Sequence, residues 1–281
     1  MVLKKIKYII KNWILPPVVY DLLKKKRPRP AFNQLTENTK AIKDRHVGKR
    51  CFIVGAGSSI KQQDLKKLAG EYVISVSNTF VHPDYHIFKP QYHVLPDLAK
   101  GHRQYFTDDK FISWLKDVDL KTHDAEIFLH YYDKKMIDEH NIFKNRKIHW
   151  VDYWDWDLEE GFNNSIPIDP GRIPPIYSVS ELAVTLAVFM GFDKIYLLGF
   201  DHDFFNGVHV YFFDKRKEHK LHTEEVDLSK FDSEFQLTRH AYIMRKYKYL
   251  FNMKKNIYNA NANQNTYVDV FPKVDFDSLF D

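Results

Sequence analysis

The chain has 281 residues, of which 44% are hydrophobic and 28% are charged. This balance is ordinary for a globular protein and excludes a disordered or fibrous chain. The net charge of +5 suggests nucleic-acid binding, but residues 1–30 hold nine Lys or Arg and one acid, Asp21, so the remaining chain is slightly acidic. A slightly acidic body gives little support for a surface that binds a nucleic-acid backbone, so no nucleic-acid partner is expected.

The first 30 residues have the pattern of a basic amphipathic helix. Apolar residues recur at spacings of three and four, with the early lysines mostly on the opposite face: Leu3, Ile6, Ile10, Trp13 and Ile14. Pro16 and Pro17 close this stretch far short of the roughly 20 apolar residues that span a bilayer. We expect residues 1–48 to be an anchor and linker that docks on an anionic membrane surface. A helix packed on the body or on a partner chain is an equal alternative.

A single cysteine, Cys51, excludes an intramolecular disulfide. No signal peptide with a small-residue cleavage site is recognisable, so a reducing cytosol is the expected compartment. Together with the basic helix, this predicts a cytoplasmic protein that is peripheral on the inner face of the cell membrane.

Residues 49–281 alternate between strand-like and helix-like segments, which predicts a single α/β domain with a doubly wound, mostly parallel sheet. Cys51–Val54 is continuous and apolar, as a buried parallel strand is. Six more strands are predicted, at 73–77, 92–95, 126–130, 148–151, 194–199 and 256–260. A helix capped by Ser178 and continuing over Leu182–Met190 and a long helix over 235–253 are the clearest helical segments.

A glycine-rich turn, Gly55 to Ser59, follows the first strand. Small residues let the backbone approach an anion, and a helix N-terminus supplies free N–H groups with about half a positive charge. Ser59 and Gln62 have the spacing of a capping box, which predicts that such a helix begins here. The turn therefore predicts a phosphate site, although a tight connection without ligand stays open. NAD is disfavoured, because a third glycine is missing and Asn78 stands where an acidic residue would bind ribose.

Polar residues stand where other strands end: Asn78, Asp97, Ser178 and Asp201. In an open α/β sheet the carboxyl ends of the strands border the ligand crevice, so we expect these residues to converge. Asp201 and Asp203 also have the DxD spacing that can hold a divalent cation. In the metal-free alternative, Asp201 accepts a ribose or sugar hydroxyl, while Tyr211 or His209 donates to a leaving phosphate.

The chain has 14 histidines, so candidates for a general base are many. His240, near the start of the long final helix, is the one we choose, because a neutral imidazole there could face the crevice. His219 and His222 lie in a polar segment that is more typical of a lid.

Three segments, 52–60, 77–80 and 187–201, resemble the bacterial sialyltransferases of glycosyltransferase family 42. They also resemble a related domain of unknown function, found in flagellin-modifying Maf proteins and in archaeal hydroxymethylpterin pyrophosphokinases. The resemblance extends over about residues 50–262 and implies a Rossmann-like fold of the GT-A type.

The resemblance implies a CMP-sugar donor whose phosphate lies near Gly55 and Gly57, with Asn78, the Ser178–Ser180 turn and Asp201 contacting the donor. In that family two tyrosines stabilise the leaving phosphate without a metal and a histidine deprotonates the acceptor, with inversion. Tyr211 and His240 match these roles. Ala56 and Asp97 replace two of the family's asparagines, Phe204 replaces one tyrosine, and Arg172 is the candidate for a sugar carboxylate.

We therefore expect a glycosyltransferase that needs no cofactor and transfers an acidic sugar, of the nonulosonic or ketodeoxyoctonic class, to a glycan or glycolipid. The expected catalytic residues are His240, Tyr211 and Asp201. The expected substrate-binding residues are Gly55, Ala56, Gly57, Ser58, Asn78, Asp97, Arg172, Ser178, Ser180, Asp203 and His209. A pyrophosphokinase using ATP and Mg²⁺ and a non-catalytic nucleotide-binding module are the alternatives, and a methyltransferase is a weaker one.

Overall fold

The computed structural model describes residues 37–96, 108–122, 124–152, 173, 176–204, 211–213, 233–262 and 266–281. The predicted N-terminal amphipathic helix lies outside these residues. So do five candidate residues: Asp97, Arg172, His209, His219 and His222. Within the described ranges, no helix combines the length and the apolar character that a membrane crossing requires.

Seven parallel strands form one sheet. The strands are β1 (Arg50–Val54), β2 (Tyr72–Val76), β3 (Tyr92–Val94), β4 (Glu126–His130), β5 (Ile148–Val151), β6 (Lys194–Leu198) and β7 (Ile257–Asn259). Their order is β5-β4-β3-β2-β1-β6-β7. The predicted α/β fold with a parallel sheet is confirmed, and each of the seven predicted strands lies within one residue of its observed bounds. Their continuous apolar runs reflect burial on both faces of the sheet.

The strand order reverses direction between β1 and β6. The chain builds outward from β1 through β5, then returns to place β6 on the other side of β1, where Ile53 pairs with Leu197 in parallel register. In sheets of this kind the loops at such a switch point diverge and leave a crevice beyond the carboxyl ends of the strands. The turn after β1 and the turn after β6 therefore border the expected ligand position.

Six α-helices are described: α1 (Glu37–Lys40), α2 (Tyr85–Phe88), α3 (Asp108–Lys121), α4 (Lys134–Glu139), α5 (Val179–Phe189) and α6 (Ser233–Met253). The described residues also include five 3-10 helices, at Ser58–Gln62, Leu65–Leu68, Ser77–Val81, Tyr131–Asp133 and Asp277–Leu279. The predicted helix capped by Ser178 is confirmed as α5, because the Ser178 side chain accepts the Ser180 N–H and Glu181 completes the capping box. The long final helix is confirmed as α6.

Helix α5 lies at the centre of the core. It is buried along nearly its whole length and packs against β1, β2, β3 and α6. Residues 37–48, which the sequence analysis assigned to the linker, pack on the same side: the Asp44 N–H donates to the Phe189 carbonyl, and the Thr39 hydroxyl donates to the Trp150 carbonyl. Burying α5 against three central strands fixes its N-terminus at the carboxyl edge of the sheet.

Candidate functional site

Three glycines allow the turns after β1 and β6 to touch. A Cβ atom on Gly55 would lie 2.5 Å from the Gly199 carbonyl oxygen, and one on Gly57 would lie 2.6 Å from the same oxygen. Gly199 has φ +68°, the left-handed region that favours glycine. The Gly57 N–H donates to the Gly199 oxygen at 3.0 Å. Close contact between the two backbones is thus the structural reason for the glycines.

The prediction of a capped α-helix directly after this turn is wrong. Residues Ser58–Gln62 form a 3-10 helix whose N-cap, Gly57, makes no side-chain capping bond, so Ser59 and Gln62 form no capping box. The segment ends at Gln63, which is extended, and Asp64 then caps a second 3-10 helix, Leu65–Leu68, by accepting the Lys66 N–H. The α-helix N-terminus expected to attract a phosphate is therefore missing from this position.

The Asp201 carboxylate takes the place at the turn that the phosphate was expected to take. Its Oδ2 accepts the Ser59 N–H at 3.0 Å and the Ser58 hydroxyl at 3.4 Å. Its Oδ1 is buried and has no hydrogen-bond partner among the residues the structure describes. An unpaired buried carboxylate oxygen is costly, so Asp201 is placed to accept a hydrogen bond from a ligand. The predicted phosphate contact of Gly55 and Gly57 stays a prediction.

Asn261 fixes the backbone that carries Asp201. Its side-chain nitrogen donates to the Phe200 carbonyl at 2.9 Å, and its side-chain oxygen accepts the Phe200 N–H at 3.0 Å. This two-bond pairing imitates a strand neighbour just beyond the end of β6. The carboxylate is therefore held from two sides of the crevice, by the turn after β1 and by the segment after β7.

Tyr211 lies directly against the glycine turn. It forms an isolated antiparallel bridge with Gly57, and the next residue, Phe212, donates its N–H to the Ala56 carbonyl at 3.1 Å. The Tyr211 ring stacks on Phe213 with centroids 5.2 Å apart. Burial raises the pKa of the Tyr211 phenol, with Arg239 acting in the opposite sense. The phenol therefore keeps its proton at neutral pH and is a hydrogen-bond donor.

Arg239 enters the site from the first turns of α6. Its Nε donates to the Tyr177 carbonyl at 2.9 Å and its Nη2 donates to the same oxygen, while its guanidinium lies 4.7 Å from the centroid of the Phe204 ring. Burial lowers the pKa of Arg239, and Glu181 and Tyr211 oppose that effect.

The imidazole of His240 is half-buried beside Phe204 and Tyr267, with ring centroids 6.2 and 6.5 Å away. Burial lowers its pKa, although Asp269 acts in the opposite direction. His240 is therefore mostly neutral at pH 7 and can accept a proton. This protonation state is the one that the expected general base requires.

His202, the middle residue of the DxD sequence, is buried beside Phe204 and His240. Its Nε2 lies 3.0 Å from the Tyr247 hydroxyl and 3.4 Å from the Ser180 hydroxyl. Burial, followed by the charges of His240 and Arg239, lowers its pKa to about 3. His202 has φ +51°, in the left-handed region that residues other than glycine rarely adopt.

Asp203, the second acid of the DxD sequence, is half-buried, and burial followed by the Asp201 charge raises its pKa. This coupling indicates that the two carboxylates are close enough to repel each other. Within the described ranges, no three His, Cys, Asp or Glu side chains gather in a way that could hold a metal ion.

The N-terminus of α5 contributes Ser178 and Ser180 to the site. Glu181 accepts the N–H groups of Tyr177 and Ser178 at 2.7 and 2.8 Å. Burial raises the pKa of Glu181, and Lys246, itself fully buried with its pKa lowered to about 8, opposes that effect. The Ser178 and Ser180 hydroxyls contact each other, and Ser180 also reaches His202. The N-terminal turn of α5 thereby contacts the segment after β6, which includes Asp201.

Asn78 lies in the 3-10 helix after β2, next to the end of β1. Its side-chain oxygen accepts the indole N–H of Trp114 at 2.7 Å, and its side chain is buried. The following residue, Thr79, donates its hydroxyl to the Val54 carbonyl at 3.1 Å. Asn78 is thus held at the crevice border with its oxygen already engaged.

The structure brings together the candidates around the β1–β6 junction: Gly55, Ala56, Gly57, Ser58, Ser178, Ser180, Asp201, Asp203, Tyr211 and His240. Sequence reasoning missed Arg239, His202 and Asn261. The signal for Arg239 was its position beside the chosen base. No local pattern marked Asn261, because its partner is 61 residues away.

No known protein family profile matches this chain, and no curated protein matches its sequence. Three similar solved structures are sialyltransferases. One is a point mutant of the alpha-2,3/8-sialyltransferase CstII, at 16% identity and a TM-score of 0.43, with 80% of this chain and 86% of that chain covered. A mammalian sialyltransferase is similar at 12% identity, a TM-score of 0.30 and coverage of 84% and 85%. A mammalian sialyltransferase in complex with Gal-beta-1-3GalNAc-ortho-nitrophenol is similar at 13% identity, a TM-score of 0.30 and coverage of 84% and 86%.

Proposed function

We propose that this chain is an inverting glycosyltransferase that transfers an acidic sugar from a CMP-sugar donor to a hydroxyl group of a glycan or glycolipid. The sequence resemblance suggests this class. The observation that supports it best is that the His240 imidazole and the Arg239 guanidinium lie 6.2 and 4.7 Å from the centroid of the same Phe204 ring, while the Tyr211 phenol is close enough to Arg239 to interact with it electrostatically. Burial keeps the imidazole neutral and the phenol protonated. Base, leaving-group donor and cation are the groups that such a transfer needs.

In the proposed reaction His240 accepts the proton of the acceptor hydroxyl as that oxygen forms a bond to the anomeric carbon of the sugar. The bond between the anomeric carbon and the phosphate oxygen breaks at the same time, and its electron pair leaves with CMP. Tyr211 donates a hydrogen bond to the departing phosphate, whose charge grows as the bond breaks. Because attack and departure are on opposite faces, the anomeric configuration inverts.

The remaining groups bind the donor. The unpaired Oδ1 of Asp201 accepts a hydrogen bond from a hydroxyl or amino group of the nucleotide, and Asp203 lies beside it. Ser178 and Ser180 provide hydroxyls from the N-terminus of α5, and Asn78 borders the nucleotide from the β2 side. No step of this scheme requires a bound cofactor.

The proposal is tested by incubating the full chain with CMP-N-acetylneuraminic acid, with CMP-activated 3-deoxyoctulosonic acid or with ATP and Mg²⁺, and separating the nucleotides by chromatography. We expect CMP to be released, faster when a glycan acceptor is added. Release of AMP from ATP without any release of CMP would support the pyrophosphokinase instead. Saturable CMP binding without turnover on any donor would support the non-catalytic module.

A further inference from the structure

The glycine turn carries negative charge in this structure. The Asp201 carboxylate already accepts the Ser59 N–H and the Ser58 hydroxyl, and the N–H groups of Gly55 and Gly57 donate to the carbonyls of Leu198 and Gly199. A phosphate near Ser59 would lose these donors to Asp201 and would face a carboxylate a few ångströms away. Like charges at such distances repel strongly in a partly buried site. The turn therefore suits a ligand group that donates hydrogen bonds.

The positive charge of the site is on Arg239, which donates to the Tyr177 carbonyl. A guanidinium offers five N–H donors. Arg239 uses its Nε hydrogen and one Nη2 hydrogen in bonds to the Tyr177 carbonyl. Among the described residues no carboxylate oxygen forms an ion pair with this guanidinium. Arg239 is partly buried, and holding a cation there without a hydrogen-bonded counter-charge is costly, so an arriving anion lowers that cost.

The neighbours of Arg239 compensate its charge only in part, because Glu181, the carboxylate that acts on it electrostatically, is engaged with other groups. His202 and His240 are mostly neutral at pH 7 because burial lowers the pKa of both. The buried Glu181 carboxylate accepts two backbone N–H groups and lies near Lys246. The Phe204 ring covers one face of the guanidinium and so directs its free donors along the plane of the guanidinium fork. A planar fork of this kind matches a phosphate or a carboxylate.

We infer that Arg239 receives the anionic group of the donor, and that the glycine turn and Asp201 receive its hydrogen-bond-donating nucleoside part. This inference depends on the proposed function for the identity of the nucleotide, but the pairing of an anion with Arg239 does not. The donor would then lie across the β1–β6 junction with its charge toward α6. That orientation places the scissile bond beside Tyr211 and His240. The anionic group is either the nucleotide phosphate or the sugar carboxylate.

The test compares Arg239→Gln with the wild-type chain by calorimetry, using cytidine, CMP and CMP-N-acetylneuraminic acid, and UMP, AMP and GMP with their nucleosides. If the phosphate binds Arg239, wild type prefers CMP over cytidine, and that preference falls on the order of 10- to 100-fold in the variant. If the carboxylate binds there, the preference for CMP over cytidine persists, and the preference for the CMP-sugar over CMP is lost instead. Arg239→Lys, which keeps the charge without the fork, should recover only part of either preference.

Arg245→Gln is the matched control, because Arg245 is exposed on the same helix, with its guanidinium 5.7 Å from the Tyr242 ring centroid. It should bind every ligand as wild type does. An Arg239-dependent preference for UMP, AMP or GMP would support the inference and contradict the CMP donor. Unchanged preferences in Arg239→Gln, measured on folded protein with wild-type melting behaviour, would overturn the inference and leave the proposed function standing. Binding of none of these ligands to the wild-type chain would overturn both.

Discussion

The Asp201 carboxylate and the Ser59 N–H, 142 positions apart in the chain, form a 3.0 Å hydrogen bond across the junction of β1 and β6. The bond depends on the absence of side chains at the turn, because a Cβ atom on Gly57 would lie 2.6 Å from Asp201 Oδ2. One hydrogen bond thus joins the first and sixth strands at the position where the donor is proposed to bind.

Gly57→Ala should disrupt this junction. The added methyl group would push Asp201 and the Gly199 carbonyl away, at a cost of about 1–3 kcal/mol in the free energy of unfolding, and should weaken nucleotide binding roughly 10-fold or more. Gly70→Ala is the control: its Cβ would meet nothing within 4 Å, but φ +84° costs about 1–2 kcal/mol. Chemical denaturation and calorimetry measure both effects. Equal nucleotide affinity in the two variants would count against a ligand site at the turn.

His240→Ala should lower turnover by roughly 100-fold or more and leave donor binding nearly intact, as expected for loss of a general base. In the wild-type chain, activity should fall as the pH drops through the His240 pKa, which burial sets below the ordinary value of 6.5. Initial rates of CMP release between pH 5 and 8 measure this. His86→Ala, at an exposed histidine, should change neither the rate nor the profile. Full activity of His240→Ala would remove its assigned role.

Tyr211→Phe should lower turnover by on the order of 10- to 100-fold, because it removes the hydroxyl that donates to the departing phosphate. The stacking on Phe213 is retained in this variant, so the fold should be preserved. Tyr258→Phe, whose ring stacks on Tyr196 in the sheet, is the control. A chelator should leave wild-type activity intact if Tyr211 carries the leaving group. Complete loss with chelator would support a metal on Asp201 and Asp203 instead.

The stability of the fold should decrease as the pH is lowered from 7 to 5. The pKa of His202 is about 3 in the folded chain against an ordinary 6.5, so the unfolded chain gains a proton first and stability is lost progressively from about pH 6.5 downward. His202 alone should contribute about 2 kcal/mol to the loss between pH 7 and 5. Buried His93, whose pKa is also lowered to about 3, should add to it.

His202→Asn isolates this contribution, because asparagine tolerates the left-handed backbone of this position and does not titrate. The variant should be less stable than wild type at pH 7, because it loses the contact with Tyr247. Its free energy of unfolding should nevertheless depend less on pH. Urea unfolding at pH 7 and pH 5 measures the difference, and His86→Asn is the exposed control. The same pH dependence in His202→Asn and wild type would contradict a neutral, buried His202.

Deleting residues 1–30 should abolish sedimentation of the chain with anionic vesicles and leave donor hydrolysis unchanged, because each Lys or Arg near such a surface contributes about 1 kcal/mol. Vesicles of neutral lipid are the control and should bind neither form. Persistent binding of the shortened chain to anionic vesicles would refute the membrane anchor.

Much of the sheet was predictable because its strands are local signals. Runs such as Cys51–Val54 and Lys194–Leu198 are continuous and apolar, as strands buried on both faces must be. The cap of α5 was equally local, since Ser178 and Glu181 are three residues apart. The prediction of a helix after Gly57 failed because the local contacts there depend on a distant residue. The Ser59 N–H donates to Asp201, and no pattern near Ser59 indicates that bond.

The details of the site depend on contacts between distant segments, and these could not be predicted. The position of Arg239 depends on its hydrogen bonds to Tyr177, which is 62 positions earlier. The role of Asn261 depends in the same way on its contact with Phe200. Sequence reasoning found the polar residues at strand ends because topology alone brings strand ends together. It missed the residues whose roles arise from a single partner across the crevice.

The two hydrogen bonds from the Asn261 side chain to the Phe200 backbone also have a consequence for the order in which the site forms during synthesis. The turn that carries Asp201 is translated well before its holder, and β7 must join the sheet before Asn261 can reach it. A nascent chain that has emerged only through α6 would contain His240, Tyr211 and Arg239, but Asp201 would be held only by Ser58 and Ser59. The second support of the Asp201 backbone is therefore added only after β7 and Asn261 have been synthesised.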